Sequence, residues 1–255
     1  MSVAACAEIV QRGDPDRFAA TMAAPVAARE VLFPLYAFNL EVARAPWVSP
    51  EPMIGEMRLQ WWRDVLEEIG RGAPPRAHEV VAPFAQVAAT GRLPLDVLDR
   101  LVAAHRVHTD TEGFADPAEF EAFLDATGAG LMWAAAAALG AAPTLEPRVR
   151  ARGWAAGLAA YFRAIPELEA RGRHPLPDGR PEAVAALARE GLRRWAAGRG
   201  RVPAEVRPAL WPAWRTQATL RRALAAPGRV AGGALEESEF RRRASLIWTT
   251  LNPLV

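Results

Sequence analysis

The sequence has a single cysteine and no lysine. Cys6 alone cannot form a disulfide within the chain, and a cysteine-rich metal site is excluded for the same reason. One thiol suits a protein of a reducing compartment. All 31 basic residues are arginine, and with abundant alanine, glycine and proline this is compatible with a GC-rich bacterial genome.

Long hydrophobic runs are also missing. The most apolar stretch, residues 131–142, has about twelve residues, whereas a helix needs about twenty to span a bilayer. Residues 1–18 carry no basic segment followed by an apolar core, so they do not resemble a signal peptide. We expect a soluble, cytoplasmic protein, and peripheral contact with the inner membrane stays open.

Neither charge of one sign nor a strand pattern stands out. The formal net charge is only +2 and the arginines are spread along the chain, which argues against nucleic-acid binding. We find no convincing alternation of apolar and polar residues and no hairpin dipeptide. Apolar residues instead recur with helical periodicity. Hydrophobic residues make up 51% of the chain, which is enough for one large core.

The periodicity predicts an all-α protein. Proline and glycine positions and capping residues set the boundaries, as at Asp116-Pro117, which reads as an N-cap followed by a first-turn proline. The predicted helices are 16–24, 26–45, 52–70, 78–90, 95–108, 117–139, 146–171, 181–198, 204–225 and 236–251. No linker divides the chain, so we expect a single domain over residues 1–255.

One predicted helix, 52–70, has a clear apolar face. Ile54, Met57, Trp61, Val65 and Ile69 recur at steps of three and four, which places them on one side of the helix. We expect this side to face the core, so that Trp61→Ala would remove a buried ring.

Small residues dominate residues 126–140. Because small side chains let helix backbones approach closely, we expect this segment to pack against bulky partners such as Trp61, Trp62, Tyr161 and Phe162. Dense core packing is the favoured role, and lining a cavity is the alternative.

Several stretches resemble the squalene and phytoene synthase family. They are Arg29, the LFPLYAF stretch 32–38, the GEMRLQWWRD stretch 55–64, the Ala/Gly-rich segment 126–140 and the run 153–177 that ends in GRHPLP. The resemblance covers most of the chain in order. It implies an isoprenoid-synthase-like helical bundle around a central cavity, and prenyl transfer as the family's chemistry.

Catalytic members of that family carry two aspartate-rich motifs. Carboxylates four residues apart share a helix face, and two such pairs facing across the cavity hold the Mg²⁺ ions that bind the leaving diphosphate. The first motif would fall on Ala43, Arg44 and Trp47 of this chain, none of which is acidic.

The second motif is also without its acids. Arg163 matches the arginine that precedes it, but Ala164 and Leu168 stand where acids are expected. Nearby acids do not form replacement pairs, because Glu41 and Glu167 have no acid four residues further on. We therefore predict no catalytic residue, no metal ligand and no cofactor, with Mg²⁺ implied only if the chain is a transferase after all.

Seven residues remain as candidates for binding an anion or lining a lipid cavity. They are Arg29, Tyr36, Phe38, Arg58, Trp61, Arg163 and Arg173. The four arginines could hold a diphosphate by charge-assisted hydrogen bonds, and ordinary ion pairs are an equal alternative for each. His105 and His108, with Asp110, form a weaker candidate for a partial metal site, for which solvated or capping roles are favoured.

Three functions are carried forward from these observations. The first is a non-catalytic family member, and since the family includes an assembly factor of mitochondrial respiratory complex I, the implied partners are complex I subunits or assembly proteins. The second is a prenyltransferase that condenses two isoprenoid diphosphates head to head. The third is a protein that binds a prenyl compound or another lipid in the cavity.

The last third of the chain is rich in arginine. Short apolar helical faces there are flanked by Arg221, Arg222, Arg229 and residues 241–243. Such an arrangement can hold a protein at an anionic membrane, and an ordinary solvated helix face is the alternative.

Overall fold

Two long helices, Val26–Arg44 and Glu146–Ala170, form the centre of the fold. The computed structural model describes residues 2–109 and 113–252, and within these residues the secondary structure is helical without a strand. The all-α prediction is confirmed. The helices are α1 Val3–Gly13, α2 Pro15–Met22, α3 Val26–Arg44, α4 Pro52–Gly70, α5 Val81–Ala88, α6 Leu95–Ala104, α7 Pro117–Leu124, α8 Gly130–Ala138, α9 Glu146–Ala170, α10 Pro181–Ala197, α11 Thr216–Ala225, α12 Gly228–Ala231 and α13 Glu239–Leu251.

Helices α3 and α9 belong to the two halves of a single bundle. Helix α3 packs against α1, α2, α5 and α8, whereas α9 packs against α8, α10, α11 and α12. Each half has its own apolar cluster, and the partly buried Trp195 contacts both. None of the helices within the described residues combines the length and apolar character needed to span a bilayer.

The sequence analysis missed the first helix. Helix α1 begins after Ser2, whose side chain accepts a hydrogen bond from the Ala5 amide and so caps the helix. Its apolar side, with Cys6, Ile9 and Val10, is buried and packs on α3. Burial raises the pKa of the Cys6 thiol to about 11, so the one thiol of the chain stays protonated at neutral pH.

The predicted helix 204–225 is wrong in its first half. Two short 3₁₀ turns, Arg207–Ala209 and Trp211–Ala213, occupy it, and α11 begins only at Thr216. Pro208 and Pro212 lack the amide hydrogens that a continuous helix would need there. The predicted helix 95–108 is shorter than expected, because it ends in a 3₁₀ turn. The predicted helix 117–139 is continuous as far as Ala138, but its middle part, Asp125–Ala129, is π-helical.

The apolar face predicted for α4 is rotated relative to the true one. The buried residues are Gly55, Leu59, Trp62, Val65 and Leu66. Met57 is exposed and Trp61 only partly buried, since Trp61 lies edge-on to Trp62 with the Arg76 guanidinium over its ring. Apolar residues recur at steps of three and four on both faces of α4. The sequence pattern therefore does not show which of the two adjacent tryptophans is buried, and the packing of the helix decides it.

Trp62 should therefore carry the packing energy expected of Trp61. Its ring is 4% exposed and lies edge-on to Phe38, with 5.3 Å between the ring centroids. We expect Trp62→Ala to lower the free energy of unfolding by about 3–5 kcal/mol, because a large aromatic ring is removed from the core. Urea denaturation measures the change. Met57→Ala, at an exposed position of the same helix, is the matched control, and equal effects of the two variants would contradict the placement.

The small-residue segment comes into close contact with glycines of α9. A Cβ added to Gly128 would lie 2.7 Å from the carbonyl oxygen of Gly153 and 2.9 Å from the Cα of Gly157. The π-helical segment and α9 are thus in backbone contact. The sequence predicted bulky partners for 126–140 and did not predict this glycine contact, in which two narrow helices approach more closely than one narrow and one wide helix can.

Gly128→Ala tests this contact. The new methyl group meets backbone atoms that cannot rotate away, so we expect the free energy of unfolding to fall by about 1–3 kcal/mol, as overpacked cores show. The control is Gly179→Ala, because an added Cβ there has no atom within 4 Å and the backbone needs no left-handed conformation. Equal melting midpoints for Gly128→Ala and Gly179→Ala would show that the helices can separate without cost.

Candidate functional site

A central cavity of about 730 Å³ lies between α3, the π-helical segment and α9. Small residues form much of its wall on α9 and recur at steps of three, one, three and four, namely Gly153, Ala156, Gly157, Ala160 and Ala164. A helix with so little side-chain volume on one face cannot fill the space beside it. The same small residues that permit close contact with Gly128 therefore leave the cavity open where α9 continues past that contact.

All five positions at which the family's acids are expected line this cavity. They are Ala43, Arg44 and Trp47 at the end of α3 and in the following turn, and Ala164 and Leu168 on α9. The folded chain thus brings the two motif positions to one space, as the resemblance implies. The side chains there are a methyl group, a cation, an indole and two aliphatic groups, none of which binds Mg²⁺.

Three carboxylates elsewhere in the lining are already occupied. Asp14 caps α2 by accepting a hydrogen bond from the Arg17 amide at 2.9 Å, Asp16 accepts two arginines, and Glu167 accepts Arg171 at 2.5 Å. Among the described residues no group of three or more His, Cys, Asp or Glu side chains is placed to hold a metal. The residues present do not fit the Mg²⁺ pair of the catalytic members.

A buried ion-pair network closes one side of the cavity. The Arg215 guanidinium, 5% exposed, donates to Asp16 at 2.5 Å and to Glu236 at 2.6 Å, and Arg242 donates to the other oxygen of Asp16 at 2.6 Å. Burial alone would raise the pKa of the Asp16 carboxyl, but the hydrogen bonds from Arg215 and Arg242 outweigh it and hold that pKa below its ordinary value. The network joins α2, the residue before α11 and α13 through one carboxylate.

Asp16→Asn should destabilise the protein, because it leaves the buried Arg215 with one anionic partner. We expect a loss of about 3 kcal/mol at pH 7, the lower end of the range for breaking a buried pair. Since the folded-state pKa of Asp16 is depressed, its contribution is complete above the unfolded-state pKa of about 4 and disappears as the pH falls through the folded-state value. Wild type and variant should therefore converge in acid.

Urea unfolding as a function of pH measures this difference. The matched control is Asp178→Asn, since Asp178 pairs with the exposed Arg180 two residues away. This variant should leave the unfolding midpoint at pH 7 unchanged. A constant difference between wild type and Asp16→Asn at every pH would rule out the ionic explanation.

Two basic residues of the lining have no carboxylate partner in the described part of the chain. Arg44 forms no ion pair, and Arg163 donates to the Ala159 carbonyl at 3.3 Å. Burial, followed by the nearby Arg215, lowers the pKa of Arg163. Tyr36 is buried beside them with the Arg17 guanidinium 4.9 Å above its ring, and burial raises the pKa of its hydroxyl. The cavity therefore offers positive charge rather than metal ligands.

Trp47, which lines the cavity, contacts two arginines. The guanidinium carbons of Arg171 and Arg173 lie 5.2 and 5.1 Å from its ring centroid, and the His108 ring lies 5.6 Å away. Arg173 does not line the cavity itself but contacts it through Trp47. Cation–π contacts thus connect the two segments that metal ions connect in the catalytic members.

The two histidines lie in an aromatic cluster. Phe123 and Tyr161 contact His108, and burial lowers the pKa of His105 to about 3 and that of His108 to about 4. Both rings are therefore neutral at pH 7. His105 is buried and stands at the C-cap of α6, so of the two expected roles the solvated one is wrong for His105 and the capping one fits it; His108 is partly buried. Asp110, the third member of the suggested metal site, lies outside the described residues.

Only two of the seven candidate residues, Tyr36 and Arg163, line the cavity. Phe38 is fully buried and stacks on Phe84. Trp61 is partly buried and lies edge-on to Trp62. Both residues therefore pack in or against the apolar cluster of α3 and α4 rather than in the cavity. Arg29 donates to the Ala24 carbonyl at 2.7 Å, and Arg58 is exposed on α4. These four side chains leave α3 and α4 on sides that do not face the cavity.

The sequence analysis missed Asp16, Arg17 and Arg215 as parts of the site. The only local signal was the sequence Asp14-Pro15, which marks a helix start by an N-cap and a first-turn proline. Nothing in the sequence connects Asp16 with Arg215, because 199 residues separate them.

Curated proteins similar in sequence to this chain include complex I assembly factors. The chain is 26% identical over 174 residues to complex I assembly factor 6 of Homo sapiens, covering 68% of this chain and 52% of that protein. It is 29% identical over 134 residues to the homolog of that factor in Drosophila melanogaster, covering 50% and 39%. The chain spans about half the length of the curated relatives it matches.

Two solved structures share the fold. A dehydrosqualene synthase in complex with a ligand superposes with a TM-score of 0.76 at 14% identity, covering 97% of this chain and 94% of that one. A squalene synthase from Alicyclobacillus acidocaldarius gives 0.63 at 13% identity, covering 97% and 90%. At the level of sequence, the squalene/phytoene synthase family matches residues 10–179. This match, together with the motif positions around one cavity, shows that the chain belongs to the squalene/phytoene synthase family.

Proposed function

We propose that this chain is a non-catalytic member of the family and acts in the assembly of a respiratory NADH dehydrogenase complex, complex I. One observation carries the proposal. The cavity is retained, yet each of the five positions that should supply acid to it carries another side chain, and one of them, Arg44, is basic. A cation at a metal position repels Mg²⁺ rather than binding it.

The energetic cost of this change for catalysis is large. Removing a single preorganised charge-stabilising group from an active site typically costs about 3 kcal/mol of transition-state stabilisation. Here the ligands of both metal clusters are replaced together, so stabilisation of a departing diphosphate is lost from both sides. The relatives named as complex I assembly factors support a role in which the fold serves without turnover.

The proposed partners are subunits or assembly proteins of complex I. We further propose a cytoplasmic location with peripheral contact to the inner membrane, since the complex to be assembled is membrane-bound. No nucleic acid and no metal cofactor enter this proposal.

Deletion of the gene tests the assembly role. We expect the amount of assembled NADH dehydrogenase complex on native gels to fall, and wild-type protein expressed from a plasmid to restore it. In parallel, purified protein with Mg²⁺ and farnesyl or geranylgeranyl diphosphate should give no squalene or phytoene, with an active family member as the positive control. Normal complex levels in the deletion strain together with Mg²⁺-dependent product would favour head-to-head prenyl transfer instead.

A second candidate is a protein that binds a prenyl compound or another lipid in the cavity. The volume of about 730 Å³ falls within the range of small-molecule sites, and Arg163 supplies a positive charge without a carboxylate partner among the described residues. Ala160→Trp distinguishes the two candidates, because Ala160 lines the cavity and is exposed to it. If only contact with partner proteins matters, the variant restores complex assembly in the deletion strain. If a cavity ligand is needed, the variant does not restore assembly, although its melting curve stays unchanged.

A further inference from the structure

Helix α13, Glu239–Leu251, lies on the bundle by one of its faces. Arg242 reaches Asp16, the Ser245 hydroxyl donates to the Trp214 carbonyl at 3.1 Å, and Leu246 packs against the core. These three residues follow one another at steps of three and one, so they mark a single side of the helix. The side that holds α13 to the protein is therefore defined by contacts.

The opposite side of α13 is apolar and open to solvent. Phe240 is 82% exposed, Ile247 59%, Trp248 72% and Leu251 75%. Together with the exposed Ala244, they recur at steps of four, three, one and three, which places all five side chains within about a third of the helix circumference. No residue of α13 is buried, so this continuous stripe has no cover among the described residues.

Positive charge lies along both edges of the stripe. At 100° per residue, Arg241 lies beside Trp248 and Arg243 beside Ile247. Arg241 has no ion pair in the described part of the chain, and Arg243 is paired with the exposed Glu239 on the side remote from the stripe. The acids that precede the helix do not offset this charge, because Glu236 and Glu237 are paired with arginines of α11 and of the turn before it.

We propose that α13 is an interfacial helix that inserts its apolar stripe into the surface of an anionic lipid bilayer. The side chains fit that environment: Phe240, Ile247 and Leu251 enter the acyl region, Trp248 suits the boundary, and Arg241 and Arg243 meet lipid phosphates. A single convex helix held on its other side presents a stripe rather than a groove. It therefore lies flat on a lipid surface without further rearrangement.

This inference changes which arginines matter. Of the cationic residues singled out in the sequence, Arg222 is paired with Glu237 and Arg242 with Asp16, and these less exposed pairs leave neither arginine free for lipid. Arg243 is also paired, but its pair with Glu239 is exposed and weak, so a lipid phosphate can replace Glu239. Arg241 and Arg243 take that role because they flank the apolar stripe. The inference is independent of the assembly role, since it concerns binding to lipid alone.

Flotation with vesicles tests the proposal on the full-length protein. We expect binding to vesicles of phosphatidylcholine with phosphatidylglycerol, and much weaker binding to pure phosphatidylcholine. Raising NaCl from about 50 mM to about 500 mM should weaken the binding, because salt screens the attraction between arginine and phosphate.

Variants of the stripe locate the binding surface. The double variant Ile247→Gln/Trp248→Gln should weaken vesicle binding by about tenfold or more, because two apolar side chains no longer leave water. Arg241→Gln should weaken it by about fivefold and reduce the salt dependence. The control is Met53→Gln/Met57→Gln, which changes two exposed apolar residues on α4 and should leave binding unchanged.

All of these positions are exposed, so circular dichroism melting should show equal stability for every variant. Two results would overturn the proposal. One is vesicle binding that the α13 double variant leaves unchanged. The other is absence of vesicle binding, with a dimer in sedimentation that Ile247→Gln/Trp248→Gln dissociates, which would make the stripe a contact between two copies of the chain.

Discussion

The contact between the π-helical segment and α9 is the constraint on which the rest of the structure depends. Gly128 meets Gly153 and Gly157 at backbone distance, so neither helix can carry a side chain at this point. The stripe of small residues that allows the contact continues along α9 and leaves the central cavity beside it. Helix contact and cavity are two consequences of one pattern, because a narrow helix both approaches closely and fills little space.

The cavity is lined by arginine, tryptophan and aliphatic side chains at the positions where acids of the family are expected. In catalytic members of the family, metal ions between two acidic segments neutralise charge and join the segments. Here the same two segments are joined by Trp47, whose ring contacts Arg171 and Arg173, and acids of the cavity lining are paired with arginines of the chain itself. Internal ion pairs and cation–π contacts therefore do structurally what metal coordination does elsewhere, and they need no substrate.

Asp16 links this interior to the surface. Its two carboxylate oxygens accept Arg215 from the cavity wall and Arg242 from α13. The helix that presents the exposed apolar stripe is thus fixed to the bundle by the same carboxylate that closes one side of the cavity. Because Arg215 is buried, its pair with Asp16 is stronger than a surface ion pair. The partly exposed pair with Arg242 attaches α13 to the same carboxylate.

Periodicity determined the all-α class and the existence of most helices, and the family motifs determined the central cavity and the absence of acids at Ala43, Arg44, Trp47, Ala164 and Leu168. Those features are local or aligned position by position, so a sequence contains them directly.

The sequence could not determine which of Trp61 and Trp62 is buried, because steps of three and four describe both faces of α4. It could not place Arg29, Phe38, Arg58 or Trp61 away from the cavity, nor join Asp16 to Arg215, because those facts depend on how helices far apart in the chain pack against one another. Only the tertiary structure decides which face of a helix meets a neighbour and which meets water.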